Sequence, residues 1–501
     1  MRLSLIKQIF FSNFFRMFFS PILMKNKSQK DKSKYCLCAI TIPIKEYLTK
    51  SYKSLAKLSL CFSLSFIDNI IYKGKIFVKF SGIVGIFFLC MLCLASCSTK
   101  SLIEKKEIVF AVGGGVTEQK IWQNIVDKFN NSQKDIKVKL EMVQSNSGED
   151  YQSKILTKIA GNVAPDVFHL DTIYLPYFVK KDVLLDLSQF LSQDKKLKQD
   201  FFSKALDLLI YGNKIYGLPM SVQPVVIYYN KTLFDKNKIP YPTNDWTWDD
   251  FLSIAKKLTK YSPDGAIKEI GFDPIIGYEP WMFQNNGNIL NAGMTECTID
   301  SAETVEAIQF FTDLVNKYKV SLSPIQRTGL DMSSEQMFMT GRVGMVMCGR
   351  WITAQLWKKK DLKWDVVLPP KKKISVTALL EAANVISKNT RYPKEAYEFV
   401  KFTCGPEGQT MYADLGISVP SCRSVAENKS ILNPNGLPPE HSDVFIKAIE
   451  NSRTIPKYFN LSRINYIIAQ EFDMVYEGRI SVKEACKKIK VKVDKILKSK
   501  E

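Results

Sequence analysis

The chain has 501 residues and a formal net charge of +20, from 70 Lys or Arg against 50 Asp or Glu. Residues 1–96 contain 15 of the basic and 3 of the acidic residues, so they carry +12, and residues 97–501 carry +8. Because nucleic-acid binding requires basic residues clustered on a folded face, this distribution argues against a nucleic-acid partner. Five cysteines follow Cys97 and none belongs to a C-x-x-C pair, so neither a zinc ribbon nor a disulfide framework is indicated.

An apolar segment before residue 97 has the features of an export signal. Ile83–Leu94 forms its apolar core, lysines precede it at positions 73, 75 and 79, and small residues follow at positions 95 and 96. The sequence Leu94-Ala95-Ser96-Cys97 resembles the bacterial lipobox, whose Cys becomes the lipidated first residue of the mature chain. The alternative is a membrane-spanning helix, but the run is shorter than the roughly 20 apolar residues such a helix needs. We therefore predict a signal peptide over 73–96, lipidation of Cys97 and a tether over 97–104, with the mature chain anchored outside the cytoplasmic membrane.

Residues 1–72 do not fit that signal. Signal peptides usually begin about 15–30 residues before the cleavage site, whereas 96 residues precede Cys97 in this chain. We favour a misassigned translation start, and an additional membrane segment is the alternative. N-terminal sequencing of the precursor distinguishes the two.

Strands and helices are predicted to alternate from residue 105 onwards. Apolar runs and alternating apolar residues indicate strands at Ile108–Val112, Ile136–Met142 and Val167–Leu170. Apolar residues at helical spacing indicate two intervening helices, marked first by Ile121, Trp122, Ile125 and Phe129 and then by Tyr151, Ile155 and Ile159. This order is the α/β pattern, in which helices cover a mostly parallel sheet.

The same alternation resumes in the second half of the chain. Strands are predicted at Val343–Met347 and Val366–Leu368. Helices are predicted to begin at the caps Thr247 and Ser481 and at Pro393. The 405 residues after position 96 exceed the size at which one core usually stops growing, so two lobes are expected.

A series of short motifs runs in order through the mature chain. They are Gly161 with Pro165-Asp166-Val167, Leu184–Leu187, Tyr216-Gly217-Leu218-Pro219, Tyr228-Tyr229-Asn230-Lys231, Trp246–Phe251, Gly341–Met345 with Gly349 and Trp351, and Ile386-Ser387-Lys388-Asn389. Their collinear order, over roughly Ile108 to Leu497, resembles the extracellular solute-binding proteins of carbohydrate ABC importers (family 1, the maltose-binding-protein type). The chain departs from that pattern at Ser132-Gln133, where Asn-Pro is usual, and at Gly344, where Ala is usual.

The resemblance implies an α/β fold of the two-lobed periplasmic-binding-protein type (type II), with a sugar bound in the cleft between lobes joined by hinge strands. Lobe one is expected over 105–220 plus 384–450, and lobe two over 224–380 plus 455–501. Ser221–Gln223 are expected at the hinge, where a few residues absorb the rotation of one lobe against the other. The implied partners are a carbohydrate ligand, an ABC permease and its ATPase subunit. The protein is expected to be a monomer and to bind no metal or cofactor.

Sugars offer C–H faces that pack on aromatic rings and hydroxyls that bond to planar polar side chains. Ligands of open α/β sheets gather at the carboxyl ends of strands, where the sequence has Gly114 in a glycine turn and Asp171 with Tyr174. Trp351 follows a predicted strand at the position that resembles the family's stacking aromatic. The alternatives are a tight turn without ligand role for the glycines, a helix cap for Asp171 and a core position for Trp351.

The other candidate ligand contacts come from loops and from the expected crossings. Trp281 is expected in an irregular segment, 277–288, together with Glu279, Gln284 and Asn285. The remaining candidates are Gln223 at the hinge, Glu381 and Asn384 before the second crossing, Arg423, and Tyr458, where the family has a late aromatic. Trp122 and Trp248 lie at helical core spacing and are predicted to be structural.

Two other functions remain open on sequence alone, although no enzyme is predicted. The chain has two histidines and neither H-E-x-x-H nor G-x-S-x-G, but a glycoside hydrolase needs only two carboxylates. A binder of another solute, such as glycerol phosphate or a peptide, is the second alternative. A phosphate needs Arg or Lys at the cleft, and Arg350 and Arg423 leave that open.

Overall fold

The computed structural model describes residues 105–145, 147–264, 267–330, 332–454 and 460–499. The predicted signal peptide, Cys97 with its tether, and Tyr458 lie outside these ranges. Within them, each helix falls short of the length and apolar character that crossing a bilayer requires.

The described strands are, in chain order, β1 Lys106–Val112, β2 Ile136–Met142, β3 Val167–Asp171, β4 Ile210–Tyr211, β5 Lys214–Ile215, β6 Leu218–Pro224, β7 Val226–Asn230, β8 Lys260–Tyr261, β9 Ile267–Pro274, β10 Val343–Cys348, β11 Trp364–Val367, β12 Thr377–Ile386, β13 Val419–Pro420 and β14 Ser452–Thr454.

The described α-helices are α1 Val116–Ser132, α2 Gly148–Ala160, α3 Leu175–Lys180, α4 Ser188–Gln193, α5 Lys195–Asp200, α6 Ser203–Asp207, α7 Lys231–Lys236, α8 Trp248–Leu258, α9 Glu279–Gln284, α10 Ala302–Asn316, α11 Pro324–Thr328, α12 Ser334–Met339, α13 Thr353–Leu356, α14 Pro393–Cys404, α15 Pro406–Ala413, α16 Arg423–Ala426, α17 Lys429–Leu432, α18 Asp443–Glu450, α19 Leu461–Tyr476 and α20 Val482–Lys498. Short 3-10 helices cover Thr172–Tyr174, Arg350–Ile352 and Pro434–Gly436.

The first sheet forms the centre of lobe one. Its described strands run in the order β13-β6-β12-β3-β1-β2, and β14 also pairs with β12. The strands β2, β1 and β3 are parallel, as predicted, whereas β12 is antiparallel to β3 and to β6. The sheet is therefore mixed, and its strands β6 and β12 adjoin the second sheet along the chain.

Helices cover both faces of this first sheet. Phe110 packs on one face against Trp122 of α1 and Phe399 of α14, with ring centroids 5.2 and 5.0 Å apart. The neighbouring Ala111 belongs to the cluster on the other face, with Tyr151 of α2. Burial of each large apolar side chain contributes about 1.5–3 kcal/mol. The predicted helices and the structural role of Trp122 are confirmed.

The second sheet forms the centre of lobe two, with the described order β11-β7-β10-β9-β8. Met345 and Met347 of β10 pack into the core on one face, which includes α8, α10 and the C-terminal helices α19 and α20. Val346 and Cys348 pack on the opposite face. Because both faces are covered, β10 is apolar along its whole length instead of alternating. The predicted caps Thr247 and Ser481 are confirmed, since each side chain accepts the backbone N–H three residues on.

The passages between the sheets lie side by side. β6 ends at Pro224, and β7 begins at Val226 in the other sheet. β12 pairs with β6 over Leu379–Asn384 and with β14 over Thr377–Leu379. The chain passes between the lobes next to each of these three strands. The predicted hinge residues Ser221–Gln223 form the last part of β6, just before the first crossing.

The end of the expected lobe-one segment, 384–450, differs from the prediction. Phe445 of α18 packs against Tyr228 of the second sheet with ring centroids 6.3 Å apart. His441 N donates to Asp365 Oδ1 of β11 at 3.1 Å. The same apolar cluster also includes Phe202 and Ala205 of lobe one. Residues 429–450 therefore contact elements of both lobes.

Candidate ligand-binding site

The carboxyl end of β3 brings Asp171 next to the hinge strand β12. Asp171 pairs with Ala382, and Thr172 Oγ1 donates to the Glu381 carbonyl at 3.3 Å. The Asp171 side chain is partly exposed, yet burial raises the pKa of its carboxyl. Because desolvation disfavours the charged form, this shift indicates that protein surrounds much of the carboxyl. Asp171 makes no capping hydrogen bond to the 3-10 helix after it, so the capping alternative is wrong.

The glycine turn after β1 lies at the same end of the first sheet. Gly114 is exposed and has φ +129°, a conformation that favours glycine. Gly115 N donates to Glu118 Oε2 at 3.0 Å, so an acidic side chain of the protein takes this backbone N–H. That contact favours the alternative of a tight turn over a role of the turn in ligand binding.

Tyr174 ends the 3-10 helix that follows Asp171. Its phenol is partly exposed, and burial raises its pKa to about 12, with smaller contributions from Glu149 and Asp171. The phenol therefore stays neutral and able to donate or accept a hydrogen bond at neutral pH.

Gln223 connects the two lobes through hydrogen bonds to a residue of each. Its Nε2 donates to the Ile417 carbonyl at 2.7 Å, and its Oε1 accepts from Arg350 N at 2.9 Å. The second bond fixes the turn that leaves β10. A hinge residue therefore holds the segment that carries Trp351.

Trp351 lies in this turn with its ring folded over Gly349. A Cβ at Gly349 would overlap Cζ3 of the ring and come within 3.0 Å of Gln223 Oε1. The indole is partly exposed, while part of it packs on the cluster behind the second sheet. Glycine at 349 thus lets the ring approach the backbone closely beside Gln223, with part of the indole accessible to solvent.

Arg350 points away from this surface into the protein interior. Its side chain has no exposed surface, and Nη2 donates to the Leu432 carbonyl at 2.9 Å. The guanidinium carbon lies 5.7 and 5.2 Å from the ring centroids of Trp357 and Phe445. Burial lowers the pKa of Arg350 to about 10. It therefore anchors residues 429–450 and offers no charge to a ligand beside Trp351.

Glu279 is a candidate that the sequence noted only as a neighbour of Trp281. It is the first residue of α9, a helix that contacts β12, and it follows the carboxyl end of β9. Its side chain is partly exposed, yet burial raises the pKa of its carboxyl, as for Asp171. The strand-end rule that selected Asp171 also selects Glu279 once β9 is recognised as a strand.

Trp281 and Asn384, two of the predicted ligand contacts, are buried inside the protein. Trp281 lies in helix α9 instead of an irregular loop and has no exposed surface. Asn384 is also fully buried: its Oδ1 lies 3.0 Å from His169 Nδ1, and its Nδ2 donates to Thr403 Oγ1 at 2.9 Å. Both ends of the amide are therefore used inside lobe one. Neither side chain offers a surface to a ligand in this structure.

The remaining predicted residues have different surroundings. Glu381 is buried within β12, between the strands of the hinge. Arg423 forms ion pairs with Glu427 and Glu450 at 2.9 and 3.4 Å, and its guanidinium lies 4.5 Å from the Phe202 ring centroid. The protein's own carboxylates therefore balance the Arg423 charge. Tyr458 lies outside the described residues.

Two further polar clusters lie away from these residues. Asp365, Glu440 and His441 are close enough to hold a metal ion, but His441 Nδ1 lies 2.7 Å from Asp365 Oδ2, and Lys231 pairs with Glu440 at 3.4 Å. A cavity of about 490 Å³ lies between α4 and α14, where Asp194 pairs with Lys401 and accepts from the Tyr397 hydroxyl. Asp365, Glu440 and Asp194 thus already have partners within the protein.

Two α/β lobes joined by adjacent strands, with partly exposed polar and aromatic residues beside those strands, define the class of two-lobed periplasmic binding proteins. The model of the family described as bacterial extracellular solute-binding protein matches residues 124–439. The chain therefore belongs to that family, a family of extracytoplasmic binding proteins rather than enzymes. The predicted fold class and family are confirmed.

Individual relatives agree with this assignment. The Arabinooligosaccharide-binding protein of Bacillus subtilis is 25% identical over 340 residues, covering 64% of this chain and 75% of the relative. The ABC substrate-binding protein Lmo0181 from Listeria monocytogenes, solved in complex with cycloalternan, is 30% identical with TM-score 0.69, covering 79% of this chain and 99% of that one. Maltose-bound MalE3 of T. maritima, at 19% identity and TM-score 0.65 over 78% of this chain and 99% of that one, shares the fold.

Proposed function

We propose that this protein is the substrate-binding subunit of an ABC importer that binds a sugar or oligosaccharide reversibly between its lobes. Trp351 carries the proposal, because its partly exposed ring lies against Gly349 beside the hinge residue Gln223. A sugar C–H face packs on such a ring. In the other lobe, Asp171 can accept hydrogen bonds from sugar hydroxyls, and Tyr174 can both donate and accept them. Relatives described as arabinooligosaccharide-, galactooligosaccharide- and maltodextrin-binding proteins support this ligand class.

Isothermal titration of the mature chain against arabinotriose, maltotriose, galactobiose, mannobiose and glycerol 3-phosphate tests the proposal. We expect at least one neutral sugar to bind with a dissociation constant in the micromolar range or below and to be recovered unchanged. If the protein is folded by circular dichroism and binds none of the sugars, the proposal is refuted. Cleavage of a sugar would instead support the hydrolase alternative.

The delivery step requires the binder to stay close to its permease and ATPase. We propose that lipid on Cys97 provides this tether and that the mature protein acts as a monomer. In cells, Cys97→Ser should release the protein or alter its location, while the purified variant retains ligand affinity. Retention of the variant in the membrane fraction would argue against lipidation. Light scattering of the purified mature chain tests the monomer.

A further inference from the structure

The lobe-one side of the candidate site is acidic. The Asp171 carboxylate lies against the start of α2, where a Cβ at Gly148 would come within 2.9 Å of Oδ2. The charges of Glu118 and Asp171 also add to burial in raising the pKa of the Tyr412 phenol. Glu149 and Asp171 have the same effect on Tyr174. These carboxylates come from the first turns of α1 and α2 and from the end of β3, which meet at one end of the sheet.

Lobe two contributes a further carboxylate beside the hinge. Glu279 begins α9, and its Oε2 lies against Gly277, where a Cβ would come within 2.9 Å. Asp171 precedes the 3-10 helix that contacts β12 from lobe one, and α9 contacts β12 from lobe two. Acidic groups of both lobes thus flank one hinge strand.

Cations on the same elements are turned away from this region or paired elsewhere. Among the described residues, Lys154 pairs with Asp150 at 2.8 Å, and Lys120 lies roughly 200° around α1 from Glu118. On the lobe-two side, Lys373 pairs with Glu303, and Arg453 donates to Asn286 at the far end of α9. The acidity is therefore local, although residues 97–501 carry a net charge of +8.

We propose that the cleft discriminates against anionic solutes and accepts neutral sugars or sugars bearing a protonated amine. The proposal rests on the proposed function and specifies the charge of its ligand. A carboxylate or phosphate placed between Asp171 and Glu279 would be repelled by charges that surrounding protein shields poorly from one another. Unpaired like charge is a recognised way to reject a competing ligand of similar shape. The glycerol phosphate alternative is correspondingly disfavoured.

The test uses the neutral sugar that binds best in the panel above and two derivatives of it. In one derivative a primary alcohol is oxidised to a carboxylate, and in the other it is replaced by an amine. At pH 7 and low salt we expect the carboxylate to bind at least roughly tenfold more weakly than the neutral sugar. The amine, which is similar in size, should bind as well or more tightly. High salt should reduce the difference in affinity between the carboxylate derivative and the neutral sugar, because salt screens the charge repulsion.

Substitutions test which carboxylates of the protein weaken the binding of anionic ligands. Glu118→Gln and Glu279→Gln should each reduce the ratio between the carboxylate and neutral dissociation constants by roughly threefold. The control Glu477→Gln, an ion-paired surface carboxylate after α19, should leave that ratio unchanged.

Each outcome separates this inference from the proposed function. If no neutral sugar binds, the proposed function fails. If the carboxylate derivative binds as tightly as the neutral sugar, the charge inference fails and the function stands. Equal weakening of the carboxylate and amine derivatives would indicate steric exclusion and overturn the inference. An unchanged ratio in both Gln variants would overturn the assignment to these carboxylates.

Discussion

Trp351 and Trp281 belong to the same lobe and are both predicted from sequence to contact a ligand, yet their surroundings are opposite. Trp351 follows β10 beside the hinge, with its ring partly exposed over Gly349. Trp281 lies in α9, where the rings of Trp248 and Phe251 lie 5.7 and 5.0 Å from it. A strand end delivers the next side chain to the sheet edge, whereas a helix packed on the sheet delivers its inward residues to the core.

The largest expected effect comes from Trp281→Ala. Loss of a fully buried indole leaves a cavity among the surrounding rings, so the free energy of unfolding should fall by about 3–5 kcal/mol. Urea denaturation followed by circular dichroism measures this change. Trp281→Phe is the matched control and should cost much less, because a ring remains.

The affinity of the two folded Trp281 variants for the sugar shows whether Trp281 is a core residue or a ligand contact. Both Trp281 variants should bind the sugar as the parent protein does. A selective loss of affinity in Trp281→Phe, without loss of stability, would mean that Trp281 contacts the ligand after all.

The next effect comes from Trp351→Ala and appears in affinity. Removing the stacking face should weaken sugar binding by about 1.5–3 kcal/mol, or roughly 10- to 150-fold, because large aromatic side chains dominate the energetics of buried contacts. The unfolding free energy should change less than in Trp281→Ala, since the ring is only partly buried. Titration calorimetry and urea denaturation measure the two quantities. A large stability loss with unchanged affinity would place Trp351 among the core residues.

Gly349→Ala is a more subtle change at the same place. Its Cβ would overlap Cζ3 of Trp351, so the ring must leave its position over residue 349. We expect roughly tenfold weaker sugar binding with Trp351 still present. Gly293→Ala is the control, because a Cβ there meets only ordinary contacts beyond 3.6 Å. Equal affinity in the two variants would show that the ring position is unimportant.

The smallest effect concerns the free energy needed to keep the partly buried Asp171 carboxylate charged. Burial raises the pKa of Asp171 in the folded protein above its ordinary value of 3.8. Its contribution to stability is therefore complete below pH 3.8 and is lost as the pH rises through the folded-state pKa. Asp171→Asn avoids that loss, so at pH 7 the variant should be slightly more stable than the parent.

Denaturation measured between pH 3 and pH 7 tests this dependence. The stability gain of Asp171→Asn should disappear towards pH 3, and Asp361→Asn, at an exposed position, should show no such gain. A constant gain at every pH would show that charge is not its cause. Stability gained at the expense of ligand affinity is a common property of binding-site variants.

Local patterns predicted much of the fold. Helical spacing placed Trp122 and Trp248 in the core, and both are 2% exposed. Apolar runs located β1, β3 and β10 within two residues of their observed ends. These patterns are reliable because the side-chain period reports which face of an element is buried.

The site was predicted less completely. The strand-end rule put forward Asp171 and Trp351 as candidates but not Glu279, because β9 was not recognised as a strand. Asn384 was expected near the ligand because it is polar and close to a crossing. It lies instead opposite His169 in β3, a pairing between residues more than 200 positions apart in the chain. Such pairing leaves no local signal in the sequence.

The sequence by itself determined the α/β class, the family and the order of most elements, because these follow from periodic apolar patterns and from short motifs in collinear order. Only the tertiary structure decided which of two similar tryptophans is accessible, which carboxylates flank the hinge strand, and that residues 429–450 contact both lobes. Those properties depend on which strands become neighbours and on how closely backbone and ring approach each other. Long-range packing sets both, and no short stretch of sequence encodes either.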